Sequence, residues 1–269
     1  MDSNETITPT EETTSENGEL SHSDKMIGVF TEPSKTFSIT SKFPPRTKDW
    51  VIPVMILFFV AALIRIIAMT NEEVYFEAKQ KGIERIEKMV DSGTLTREQG
   101  DEAITKVDQQ MEFMNKPVGW VITIVTSIIF GTIVFVIIVG IYYLLVKFVL
   151  KGEGSFNSAL VANGLTIYIG VLQMILAGIL TMLFGKMMMD TSVASILGSD
   201  KMTLAGWFLS KIDPVTIWSY IVLSIALAKM FKSQSTGKYY GLVFGVWLIG
   251  TFILFQLAHA VPFLQNFMQ

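Results

Sequence analysis

The 269-residue chain has no cysteine and two histidines, His22 and His259. Without thiols there is no disulfide, thiolate zinc site, iron–sulfur cluster or cysteine nucleophile. The two histidines are far apart in sequence, which argues against a histidine-rich metal centre. Charge is also scarce: 17% of residues are charged, against about a quarter in a soluble domain. The formal net charge is -3, so no global basic field exists to hold nucleic acid. Gly-x-x-x-x-Gly-Lys, Gly-x-Ser-x-Gly and His-Glu-x-x-His patterns are all missing. The sequence therefore points to no enzyme and no cofactor.

What the chain does have is apolar residues, 51% of the total, gathered into long blocks. Uninterrupted runs of about 20 apolar residues are what a bilayer crossing requires. The expected fold is all-α: a polytopic transmembrane bundle with five spans and an extramembrane helical hairpin. The spans fall at 50–70, 118–147, 159–184, 214–230 and 238–260. Residues 71–117 form the hairpin, with Ile83, Ile86 and Val90 facing Ile104, Val107, Met111 and Met114. The hairpin helices are expected to continue into the flanking crossings. Residues 185–213 connect the third and fourth spans, and Met202, Ala205, Leu209 and Ile212 share one helical face there. Asp213-Pro214 is a helix-start signature.

Before the first span the composition changes twice. Residues 1–24 are rich in Thr, Ser and Glu and cannot bury enough surface to order themselves. Residues 25–49 interleave apolar groups with Lys25, Lys35, Lys42, Arg46 and Lys48, a mixture suited to the membrane interface and to anionic headgroups. These five cations are the candidate lipid contacts. Pro44-Pro45 ends any helix there.

Lysine and arginine placement sets orientation. With five spans the raw count ties at ten against ten. The hairpin is long and its acids outnumber its bases, whereas the fourth loop is short and purely cationic. The expected arrangement is a cytoplasmic N-terminus with the C-terminus outside.

Candidate polar residues inside the bilayer are few. Arg65 lies near the end of the first span, where it can snorkel outward. Asn163 and Gln173 in the third span and Gln256 in the fifth can hydrogen-bond between helices, at under about 1 kcal/mol each. His259 has no second ligand near it in sequence. Gly237, Gly241 and Gly245 form a flat stripe that admits a close backbone, in the same bundle before a second copy. A polar cavity built from Asn163, Gln173, Gln256 and Arg65 would instead suit a small transporter or channel subunit.

Phe30-Thr31-Glu32-Pro33-Ser34-Lys35-Thr36-Phe37 resembles the entry segment of bacterial Yip-domain proteins. Ile212-Asp213-Pro214-Val215-Thr216-Ile217-Trp218 is similar to the Asp-x-Phe-x-Ile-Trp pattern of the same group. Asp49-Trp50-Val51-Ile52-Pro53 keeps the Asp and Pro of the eukaryotic Asp-Leu-Tyr-Gly-Pro motif but not its middle. The Gly-Tyr then Pro motif would fall near Gly164-Leu165, where the Tyr and Pro are absent. The likeness spans residues 26–261, with the hairpin as an insertion. It implies five membrane helices, a cytosolic N-terminus and, for a bacterial member, the cytoplasmic membrane. Eukaryotic relatives bind Rab-type GTPases and one another. The departures at both motifs argue against GTPase binding here, leaving the bilayer and a membrane or cytosolic protein, including a second copy, as partners.

Overall fold

The computed structural model describes residues 18–260, and every regular element among them is helical. In chain order these are α1 (His22–Thr31), α2 (Pro33–Thr40), α3 (Lys48–Met69), α4 (Glu72–Asp91), α5 (Arg97–Met114), α6 (Pro117–Phe148), α7 (Phe156–Phe184), α8 (Val193–Leu197), α9 (Leu204–Ser210), α10 (Pro214–Met230) and α11 (Gly237–Ala260). Residues 1–17 of the expected tail and the chain beyond 260 lie outside the described residues.

Helix starts follow local chemistry. Ser21, Thr96 and Ser155 each make a capping box with the residue three positions on, and Asn71 accepts from the Val74 amide. Each satisfies backbone donors that a first turn leaves free. Gly185 and Gly198 end α7 and α8 with positive φ, which a residue lacking a Cβ adopts without strain.

Four helices are long and apolar enough to cross a membrane: α3, α6, α7 and α11. The α9–α10 pair meets the same test together but bends by 61° at its break. Counted as one broken span, the pair makes five.

α7 is the central post, packing against α3, α10, α6 and α1. Its stretch from Ser158 to Thr166 is entirely buried. α3 and α7 run parallel, because Gly164 lies against Trp50 and Gly178 against Ile64. A Cβ at Gly164 would overlap the Trp50 backbone, so this contact depends on glycine. α6 presents Ile129, Phe130, Ile133, Ile137 and Ile141 outward, each about half exposed. An apolar exterior of that kind is what lipid solvates.

The segment before the first span is folded onto the bundle. α1 begins at His22, inside the stretch expected to be tail, because Ser21 and Asp24 cap it reciprocally. Val29 and Phe37 are fully buried, α2 packs on α10, and Phe30 meets Trp218 at 5.7 Å between ring centres.

The hairpin α4–α5 is separate from the spans it follows and precedes. The chain breaks at Thr70-Asn71 and at Asn115-Lys116, with Pro117 opening α6. Its seam is thin: Ile86 is buried, while Ile104 and Val107 remain partly open. Lys79 forms an ion pair with Asp108 across it at 2.9 Å, and that carboxylate holds the ammonium above its usual pKa.

The connection after α7 also departs from the expected pattern. α9 covers only Leu204–Ser210 and turns Gly206 and Trp207 inward, while Ala205 and Ile212 are exposed. Trp207 decides this, because its ring packs between Phe252 and Phe255 of α11.

Candidate functional site

Polar side chains gather in two places. The first is at the start of α3. Asp49 is fully buried in the first turn. Its Oδ2 accepts from Lys25 Nζ at 2.6 Å and its Oδ1 bonds to His22 Nδ1 at 2.8 Å. The other ring nitrogen of His22 reaches the Tyr168 hydroxyl of α7 at 2.8 Å. Lys25 also reaches Glu19 at 3.4 Å, and Glu19 pairs with Arg46. A buried charge is tolerable only when paired and hydrogen-bonded, and this chain of partners supplies both. It straps α1 to α3 and α7 at once.

Pro53 contributes through what it lacks. Proline has no amide hydrogen, so the carbonyl four residues earlier loses its helical donor. That carbonyl is Asp49, and it faces Gly164 of α7. Asp49 and Pro53 therefore act together: one anchors α1, and the other loosens the turn that meets α7.

The candidate lipid cations divide. Lys35, Lys42, Arg46 and Lys48 are exposed, whereas Lys25 is 2% exposed and consumed by Asp49. Lys25 is thus a structural ion-pair partner and not available to headgroups. Sequence reasoning missed this because a carboxylate 24 positions away carries no periodic signal. Tyr168 and His22 were missed for the same reason. The available hint was Tyr168 one helical turn past Gly164 in an otherwise apolar span.

The second cluster is built around Asp213, which is 1% exposed. Its Oδ1 caps α10, accepting from the Val215 and Thr216 amides, and also accepts from the Thr191 hydroxyl at 2.8 Å. Its Oδ2 accepts from Gln173 Nε2 at 2.7 Å, and the same amide donates to Thr216 at 2.8 Å. Beside it, Asp190 accepts from the Ser192 and Ser195 hydroxyls and from Lys201 Nζ at 2.7 Å.

The depth of this cluster follows from helix register. Pairing of Gly164 with Trp50 and of Gly178 with Ile64 gives one constant offset, so Gln173 is level with Phe59, near the middle of α3. Gln173 also lies eleven residues before the end of α7, roughly 16 Å at 1.5 Å per residue. Asp213, bonded to Gln173, is therefore at mid-depth in the bundle. The sequence places it at the head of a crossing with no carboxylate mid-span. The structure corrects that by setting it level with the middle of α3, at the 61° break between α9 and α10.

The remaining candidates do not converge. Asn163 donates back to the Ala159 carbonyl of its own helix at 2.9 Å, so it links no second helix. Arg65 and Gln256 are exposed. His259 bonds to the Phe255 carbonyl one turn back at 2.8 Å. The glycine stripe is not used inside the bundle, since a Cβ at Gly241 or Gly245 would meet nothing within 4 Å. No group of three or more metal-ligating His, Cys, Asp or Glu side chains occurs among the described residues.

Long apolar helices packed into a bundle with an apolar exterior define a multi-pass integral membrane protein. Within that class the assignment is specific: the Yip1 domain matches residues 27–257, and the chain belongs to the Yip1 domain family. No curated protein and no solved structure matches it.

Proposed function

We propose that the protein is a non-enzymatic organiser of the bacterial cytoplasmic membrane, acting through protein and lipid contacts. The N-terminus is cytoplasmic and the C-terminus is outside. The observation that carries this reading is the strap formed by His22, Lys25, Asp49 and Tyr168. It turns the N-terminal segment into a fixed surface on the bundle, displaying Lys35, Lys42, Arg46 and Lys48. A fixed cationic face attracts anionic headgroups, at about 1 kcal/mol per residue near the surface. The acidic hairpin α4–α5 offers a second face, on the opposite side, to a protein partner or a second copy. The transporter reading is not favoured, because Asn163, Gln173, Gln256 and Arg65 do not share a cavity.

The test is photo-crosslinking from hairpin positions of the full chain in intact cells. Discrete protein adducts from exposed positions such as Phe76 are expected. Absence of adducts, together with solute flux through liposomes holding the purified protein, would overturn the reading.

A further inference from the structure

We propose that the break between α9 and α10 is a binding site for the phosphate group of a phospholipid, with Lys211 as the anion contact. This goes beyond headgroup attraction at the membrane surface, because the pocket lies at the depth of Asp213, inside the bundle's apolar span.

The break leaves a cavity of about 220 Å³ between α10 and α11, walled by Ser210, Thr216, Trp247, Thr251 and Leu254. Two ammonium groups and two carboxylates border it, and their bonding differs. Asp190 is held by Lys201 and by the Ser192 and Ser195 hydroxyls. Asp213 is held by two backbone amides, Thr191 and Gln173. Both carboxylates are therefore committed to internal donors, and Lys201 is committed to Asp190. Lys211 is placed otherwise. Its Nζ lies 5.3 Å from the Trp207 ring centre and 5.7 Å from that of Trp247, and none of the ion pairs among the described residues includes it. Two indole faces orient a cation, but they do not neutralise it.

A charged residue within an apolar span is costly and is retained for function. An anion in the adjoining cavity meets that cost through a charge-assisted hydrogen bond. Thr216 adds a second contact: its oxygen accepts from Gln173, which leaves its hydroxyl hydrogen for an acceptor in the cavity. Phosphate oxygens fit both donors.

The surroundings favour an amphiphile as the source. Leu254, at the rim, is 46% exposed, and Leu204, Phe208 and Ile212 beside the break are all more than half exposed. An apolar rim around a cationic pocket accepts a molecule with a charged head and an apolar tail. Free inorganic phosphate would offer the same head chemistry without the tail, and the experiment separates the two.

Purified full-length protein in a neutral detergent is titrated with short-chain phosphatidic acid, the matching diacylglycerol and inorganic phosphate. Bound ligand is counted by native mass spectrometry and followed by tryptophan fluorescence. Saturable binding of phosphatidic acid is expected, weakened roughly tenfold or more by Lys211→Met. Lys106→Met, on the exposed hairpin, should leave it unchanged. Leu254→Trp keeps the ammonium and fills the rim, so it should also abolish binding and covers the case in which Lys211→Met does not fold. Displacement of the lipid by inorganic phosphate at similar concentration would keep the anion site and reassign its source. Binding that is absent, or equal in wild type and both pocket variants, would overturn the proposal.

Discussion

At the residue scale, the strap at Asp49 shows how a cation that looks free in sequence becomes internal. Lys25 and Asp49 are both about 98–100% buried and 2.6 Å apart. Removing one partner of a buried pair leaves an uncompensated charge, which costs about 3–5 kcal/mol. Asp49→Asn and Lys25→Met should each destabilise the full chain by that order, read from unfolding in mixed detergent micelles. The double variant should cost less than the sum, because each single change strands the other charge. Additive losses would mean that the two groups do not interact in the membrane-embedded protein. His22 provides the cross-check: His22→Ala removes the link to Tyr168 while leaving the ion pair, and should cost less than Asp49→Asn.

At the element scale, glycines that look alike in sequence have opposite roles. Gly164 lets α7 touch the α3 backbone, and a Cβ there would collide with Trp50. Gly164→Ala should cost about 1–3 kcal/mol, the usual result of overpacking. Gly241 faces open space in the single chain, so Gly241→Ala should change stability by no more than about 1 kcal/mol, in the stabilising direction. A large loss at Gly241, seen only above a threshold protein concentration, would show that the stripe meets a second copy. The hairpin tests independence of another kind. It is separated from the spans by breaks at Asn71 and Lys116, and its own seam is thin. Replacing residues 73–113 with a short Gly/Ser linker should leave the bundle folded, with an unchanged thermal midpoint and a single symmetric gel-filtration peak. Aggregation of that variant would show that the hairpin supports the membrane domain.

At the scale of the whole molecule, the absence of cysteine makes topology directly measurable. Single cysteines at Ser34 and Ser235 should react with an impermeant thiol reagent from one compartment, and at Thr94 and Ser199 from the other. Labelling of Ser199 and Ser235 from the same side would make the α9–α10 pair re-entrant and remove the fifth pass. What the sequence determined is the part of the fold set by composition along the chain: four apolar helices, the polar hairpin between the first two, and helix starts at Thr96 and Asp213. Those features are local, because run length, spacing and caps are read within one or two turns. Family membership was also legible, since ordered short motifs survive around the spans. Only the tertiary structure decided where the charges go. It buried Lys25 beneath Asp49, set Asp213 level with the middle of α3, and placed Lys211 between two indole rings. A side chain's dielectric surroundings depend on which distant segments fold around it, and a linear sequence does not state which those are.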